Sequence, residues 1–205
     1  MTLGKPPSFA RLGRRGRLPL REQKENSDGG ISAHVWHLTS ERSPPYNMFM
    51  TQLRVRNAEV SDVDAIVRLV NRAFVAESPY VEGERINADG VHTMWPRGTF
   101  LLGEVDGMLT ACIFVEGRGE RAHLGLVSVE PAQQGNGIGS QLMEAAEAHC
   151  RTAGFREMEL RFINHRTELD RFYRRMGFAP SGAMEQPGTY RIKVPFHFVQ
   201  MIKPL

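Results

Sequence analysis

The chain has 205 residues, 41% of them hydrophobic and 24% charged, enough for one domain with a substantial core and an appendage. No apolar run approaches the roughly 18 residues of a membrane span, and no secretory leader pattern stands out, so membrane-embedded and exported classes are not expected. Two cysteines, Cys112 and Cys150, lie far apart without a C-x-x-C motif or paired histidines, which predicts no disulfide framework, no metal site and a reducing, cytoplasmic setting. The net charge of +3 is unevenly spread. Residues 1–50 hold eight Lys and Arg against four Asp and Glu, a balance of +4, and the rest carries −1. That distribution gives a folded nucleic-acid surface little support.

Residues 1–51 are rich in Arg, Gly, Pro and Ser and lack sustained apolar periodicity, so they are expected to form a disordered basic extension. Their first 21 residues contain no acid, superficially like a transit peptide or a nucleic-acid-binding arm. Met48 and Met50 stand just ahead of the domain, as they would if the extension were functionless and the start lay downstream. From Gln52 the texture changes, and 52–205 is expected to be one domain. Leu53–Arg56 alternates as a strand, and Ser61-Asp62 caps a helix whose apolar stripe is Ile66, Leu69, Val70, Ala73 and Phe74. A short helix near Arg85–Met94 follows in an acid-led stretch. Strands Thr99–Val105 and Leu109–Glu116 are joined by Asp106-Gly107, a strong hairpin signal. A third strand, Arg121–Val129, leads to a helix over about Gly137–Ala153, which Gly154 closes. A strand at Glu157–Ile163, a helix at Glu168–Met176 and strands near Ala179–Gln186 and Phe196–Ile202 complete the chain. The order predicts an α/β fold: a mixed, mostly antiparallel twisted sheet flanked by helices.

Between the third strand and its helix lies Gln134-Gly135-Asn136-Gly137-Ile138-Gly139-Ser140. Strand, glycine turn and helix leave free backbone N–H groups aimed at an anion, and glycine lets a ligand approach closely. No Ser, Thr, Asp or Asn stands ready as a side-chain cap, so a phosphate is read into that role. The dinucleotide fingerprint fails because Ser140 and Leu142 stand where its third glycine belongs, and no Gly-Lys-Ser/Thr follows for a P-loop. What fits is Q-x-x-G-x-G, from Gln134 to Gly139.

In that motif the chain resembles the GCN5-related N-acetyltransferase (GNAT) superfamily, whose signature turn binds the pyrophosphate of acetyl-CoA. A second motif agrees: Asn164 ends a strand, and Phe172-Tyr173 on the next helix precedes Gly177-Phe178. The resemblance covers about 52–205 and implies a single acetyltransferase-type domain with acetyl-CoA as co-substrate and no metal. It further implies that the backbone of Val127, Ser128 and Val129 pairs with the pantetheine arm, with Asn164 also at the cofactor. The turn, Gln134, Gly135, Asn136, Gly137, Ile138, Gly139 and Ser140, would hold the pyrophosphate. The physics agrees, since an extended, amide-rich arm suits an unpaired strand edge. By the same resemblance Tyr173 is the candidate acid for the leaving thiolate. Glu159, five residues before Asn164, is the first candidate base and His123 the second, although many members work through water with no unique base.

The acceptor is expected to be a primary amine of a small molecule or protein. The acids of Glu77–Asp89 fall where the family builds its acceptor pocket and favour a cationic amine, and His197 belongs near the same end of the sheet. Two other readings stay open at this level: a non-catalytic acyl-CoA sensor, and an aminoacyl-tRNA acetyltransferase using the basic tail. Homodimerisation stays open too.

Overall fold

A computed structural model describes residues 52–186, 188 and 191–205, so the expectations for residues 1–51 lie outside the described residues. Strands β1 (Arg54–Asn57), β2 (Gly98–Val105), β3 (Met108–Arg118), β4 (Arg121–Val129), β5 (Glu157–Ile163), β6 (Ala179–Glu185) and β7 (His197–Pro204) occur in the expected order. Helices α1 (Val63–Phe74) and α2 (Ala88–Met94) follow β1, α3 (Ile138–Thr152) follows β4, and α4 (Thr167–Arg175) follows β5. The sheet order is β1-β2-β3-β4-β5-β7-β6. Only β4 and β5 run parallel, and every other neighbouring pair is antiparallel. At the β2–β3 hairpin Asp106 has φ 50° and Gly107 φ 76°, the left-handed pair that matches strand twist.

The expected cap of α1 is used differently. Asp62 does precede the helix, but its carboxylate accepts from the Glu59 backbone N–H at 2.7 Å and from Arg56, tying β1 to the turn before α1. The apolar stripe behaves as read: Ile66, Leu69 and Val70 are fully buried. They pack with Val91 of α2 against Phe100, Leu102, Cys112 and Phe114 on one face of the sheet. The opposite face carries Leu101, Ile113, Leu124 and Leu160 beneath Leu142, Met143 and Ala146 of α3 and Tyr173 of α4. With layers on both sides, β3 is buried continuously from Thr110 to Glu116, as expected for a strand covered on both faces. Both cysteines are unbridged and buried, and burial pushes the Cys112 thiol up to about 12 and that of Cys150 to about 11. They serve as packed hydrophobes. Among the described residues no helix is long and apolar enough to cross a membrane.

What positions the site is a failure of pairing. β4 and β5 stay together only over Arg121–Leu124 and Glu157–Leu160. Beyond that point β4 continues with β3 as far as Val129, opposite Ala111, while β5 continues with β7 as far as Ile163, opposite Phe198. The two halves of the sheet therefore diverge. At the divergence β4 carries a bulge: Leu126 takes φ 49°, and two residues, Leu126 and Val127, stand opposite Ile113. A bulge reverses the side-chain alternation. Leu124 packs beneath α3, Leu126 turns into the α1 layer, and Val127 and Val129 return to the α3 side.

Candidate active site

The gap between β4 and β5 forms a cleft of about 700 Å³. Its β4 wall follows from the ladder. The Glu130 N–H donates to the Thr110 carbonyl of β3 at 2.8 Å, so alternation turns Ser128 toward β3 and Val127 and Val129 toward the gap. Val127 and Val129 do line the cleft; Ser128, 2% exposed, does not, and its hydroxyl donates back to the Leu126 carbonyl at 2.9 Å. Of the three strand residues expected at the pantetheine, the geometry thus presents two.

The glycine turn closes one end. Gly135 and Gly137 have φ 84° and 80°, a region that L side chains rarely adopt. Gly137 is the N-cap of α3, and no side chain caps the helix. The first bond of the helix, from the Gln141 N–H to the Gly137 carbonyl, spans 3.1 Å, so the N–H groups of Ile138, Gly139 and Ser140 precede any intrahelical partner. Gln134 donates its side-chain N–H to the Val129 carbonyl at 3.1 Å and so joins the turn to the end of β4. Gln134, Gly135, Gly137, Gly139 and Ser140 line the cleft. Ile138 is 1% exposed and serves the α3 core; Asn136 is exposed and outside the lining. This uncapped, Cβ-free terminus beside an unpaired strand edge suits a pyrophosphate with an extended amide arm.

Tyr173 lines the cleft from the other side, 5% exposed and ringed by Phe162, Phe172 and Phe178 at centroid distances of 5.7, 5.2 and 5.9 Å. Burial raises its pKa, so the phenol keeps its proton. Asn164 does not face the cleft. Its side-chain carbonyl accepts from the His197 N–H at 3.1 Å, and its own N–H donates to the His197 carbonyl at 3.0 Å. That doubly bonded clasp fastens the end of β5 to the start of β7.

A second cavity of about 870 Å³ adjoins the first, with Arg85, Gly125, Leu126, Arg161 and Phe198 lining both. His123 lines this second cavity, and the parallel register sets the other candidate base, Glu159, opposite it behind the wall. His123 Nδ1 lies 3.2 Å from Glu159 Oε1. A carboxylate can only accept, so Nδ1 donates and Nε2 keeps a free lone pair. A chain of charges continues across the sheet: Arg118 lies 3.5 Å from Glu159 and 2.6 Å from Glu116, which also accepts from Arg97. Burial works to raise the Glu116 carboxyl, but the hydrogen bonds from Arg118 and Arg97 outweigh it and hold the group below its usual range. The acid-led stretch contributes only Glu84 to the cavity wall; Glu77 instead lines the first cleft, 3.8 Å from Arg166. Asn71 of α1 fixes the loop on this side by accepting from the Arg85 and Ile86 N–H groups at 2.8 and 3.1 Å.

Burial, then the neighbouring Arg118 and Arg161 guanidinium groups, push His123 down to about 4, and Glu159 only partly offsets them. The imidazole is thus neutral at pH 7. Below about pH 6.5 the unfolded chain takes up a proton that the folded chain refuses, so stability falls as the pH drops toward 4, by on the order of 2 kcal/mol at pH 5. Replacing the group by His123→Gln should flatten this fall, read from denaturant midpoints at pH 7 and pH 5. Parallel losses in the variant and the parent protein would place the depressed imidazole elsewhere.

Residues 63–178 match the model of the Acetyltransferase (GNAT) family. No curated protein sequence matches. Among solved structures, the ribosomal-protein-S18-alanine N-acetyltransferase of Escherichia coli superposes with a TM-score of 0.63 at 16% identity, over 75% of this chain and 94% of that one. The ribosomal-protein-alanine N-acetyltransferase of Brucella melitensis gives 0.63 at 18% identity, over 74% and 99%. The yncA protein of Salmonella typhimurium, solved with its cofactor acetyl-CoA, gives 0.61 at 20% identity, over 75% and 94%. At such identities these structures speak for the fold, and the family match covers more than half of the chain. The chain belongs to the acetyltransferase (GNAT) family of acetyl-CoA-dependent acyltransferases.

Proposed function

We propose that this protein moves an acetyl group directly from acetyl-CoA, held between β4 and β5, to a primary amine in the cavity beside His123. The observation that carries the reading is the divergence of β4 from β5 at Leu124 and Leu160, beside which one cavity reaches the glycine turn and another reaches His123. The coenzyme supplies an activated acetyl thioester. The N–H groups of Ile138, Gly139 and Ser140 bind its pyrophosphate, and the helix dipole adds roughly 0.3–1 kcal/mol per contact. Val127 and Val129 offer backbone groups to the extended arm.

The amine nitrogen bonds to the carbonyl carbon as the carbon–sulfur bond breaks. The amine proton leaves through water that hydrogen-bonds His123 Nε2, Glu159 orients the ring through Nδ1, and the Tyr173 hydroxyl donates to the departing sulfur. In this reading neutral His123 guides the proton without keeping it, and Glu159 positions His123. That reverses the order of the sequence-based ranking, because the carboxylate is engaged by the imidazole and by Arg118.

Calorimetry and thermal melting with acetyl-CoA test the donor. At hundredfold excess over Kd the stabilisation is about 2.7 kcal/mol, or about 5–10 °C for a domain of this size. Thiol release followed over polyamines, amino acids, aminoglycosides and peptides tests the transfer. Neither heat nor a melting shift would overturn the reading at the donor site. Binding without thiol release from any amine would reduce the protein to a sensor.

A further inference from the structure

The cavity beside His123 is the part of the molecule whose charge the proposed reaction does not explain. Its wall carries four guanidinium groups, Arg85, Arg97, Arg118 and Arg161, against the carboxylates of Glu84 and Glu116. Glu159 adds a third carboxylate, already bonded to His123. Arg97 and Arg118 have evident partners, since both bind Glu116 at 2.5 and 2.6 Å. Arg161 differs. Among the described residues its hydrogen bond runs from Nη1 to the Met184 sulfur at 3.0 Å, and a thioether is a weak acceptor for a group with five donors. Half-buried without a carboxylate among the described residues, the guanidinium carries a desolvation cost that an anion would offset. Its place is specific as well: Arg161 is the first residue of β5 past the last pair with β4, and it lines both cavities.

We infer that Arg161 receives the carboxylate of the acceptor, and that the acceptor class is a primary amine with a carboxylate within a few bonds, as in a free amino acid. The inference rests on the acetyl-transfer reading above and deepens it. A guanidinium at the junction of the two cavities holds an anion close to where the attacking nitrogen must stand. An acceptor whose charge lay far from its amine would leave Arg161 unused. The cationic amine expected from the acid-led stretch finds few acids here, because that stretch gives the cavity one carboxylate, Glu84, beside Arg85, while Arg97, Arg118 and Arg161 line it from elsewhere.

The experiment uses the full chain with saturating acetyl-CoA and follows thiol release. Glycine, alanine, methionine, glutamate and phenylalanine are each compared with the corresponding carboxamide and decarboxylated amine. For the best side chain, kcat/KM is expected to favour the carboxylate by about 100-fold, the scale of a charge-assisted paired hydrogen bond. In Arg161→Met that ratio should fall to near 1, and Arg161→Lys should restore part of it. Acetyl-CoA affinity, measured by calorimetry on the same variants, separates this role from one at the cofactor. Carboxamides or simple amines reacting as well as amino acids would overturn the inference and leave acetyl transfer standing. An Arg161→Met loss shared equally by all three acceptor forms would also overturn it. If no acceptor reacts, calorimetry of the five amino acids against the acetyl-CoA complex decides, and no binding overturns the inference. Absence of acetyl-CoA binding would instead strike the parent reading.

Discussion

Gly137→Val should lower acetyl-CoA affinity by about 100-fold, roughly 2.7 kcal/mol, while the protein still folds. Gly137 sits at φ 80°, and a Cβ placed there meets no protein atom within 4 Å. Crowding inside the fold is therefore not the issue. The first cost is conformational, about 1–2 kcal/mol for an L residue held in the left-handed region, which should lower the melting temperature by about 2–8 °C. The second falls on the ligand. The new side chain stands in the open space before the uncapped N-terminus of α3, where the N–H groups of Ile138, Gly139 and Ser140 await an anion. Gly119→Val is the control: it imposes a comparable left-handed strain, φ 62° with equally open space, in the β3–β4 turn at the far end of β4. Calorimetric titration should find affinity lost in the first variant and kept in the second. Equal affinities would remove the turn from the cofactor site.

Such a turn was open to reading because its chemistry is local. Gly135, Gly137 and Gly139 declare themselves through the residue type, and the apolar run before them and amphipathic stretch after them supply strand and helix. The alternation of Arg121–Val129 and Glu157–Ile163 likewise placed β4 and β5 to the residue. What stayed hidden depends on partners distant in sequence. Nothing near Leu124 or Leu160 states that pairing stops there, and His123 meets Glu159 only through a parallel register set across a helix. The resemblance put Asn164 at the cofactor, whereas in the fold its side chain clasps the His197 backbone. Acidic stretches divide for a related reason. Glu77 and Glu84 are close in sequence, but Glu77 goes to the first cleft beside Arg166 and Glu84 to the cavity wall of His123. Charge in a stretch of chain is not charge in a cavity until the backbone distributes it.

Tyr173→Phe should reduce kcat by about 100-fold or more, leave Kd for acetyl-CoA within about twofold, and hold the melting temperature. The three outcomes come from one observation. Tyr173 lies 5% exposed among Phe162, Phe172 and Phe178, and its hydroxyl has no hydrogen-bond partner among the described residues. The hydroxyl stands at the wall of the open cleft and is not one of the buried polar atoms left without a partner, so it neither supports the packing nor costs it much. Phenylalanine keeps the ring packing. A structural aromatic would thus be served as well without its oxygen. Burial also raises the phenol's pKa, so it offers a proton throughout the working pH range and cannot serve as a base. A fixed donor pointed into a cleft meets charge that appears there, and charge appears on sulfur as the thioester breaks. Losing one such preorganised donor costs on the order of 10²–10³ in rate. Since the charge is absent in the ground state, the loss belongs in kcat and not in binding. Steady-state kinetics beside calorimetry and melting separate the cases: unchanged kcat would return Tyr173 to the core, and a parallel fall in kcat and affinity would make it a binding residue. Only a fall in kcat at constant affinity, with stability intact, fits a hydroxyl retained for the leaving thiolate.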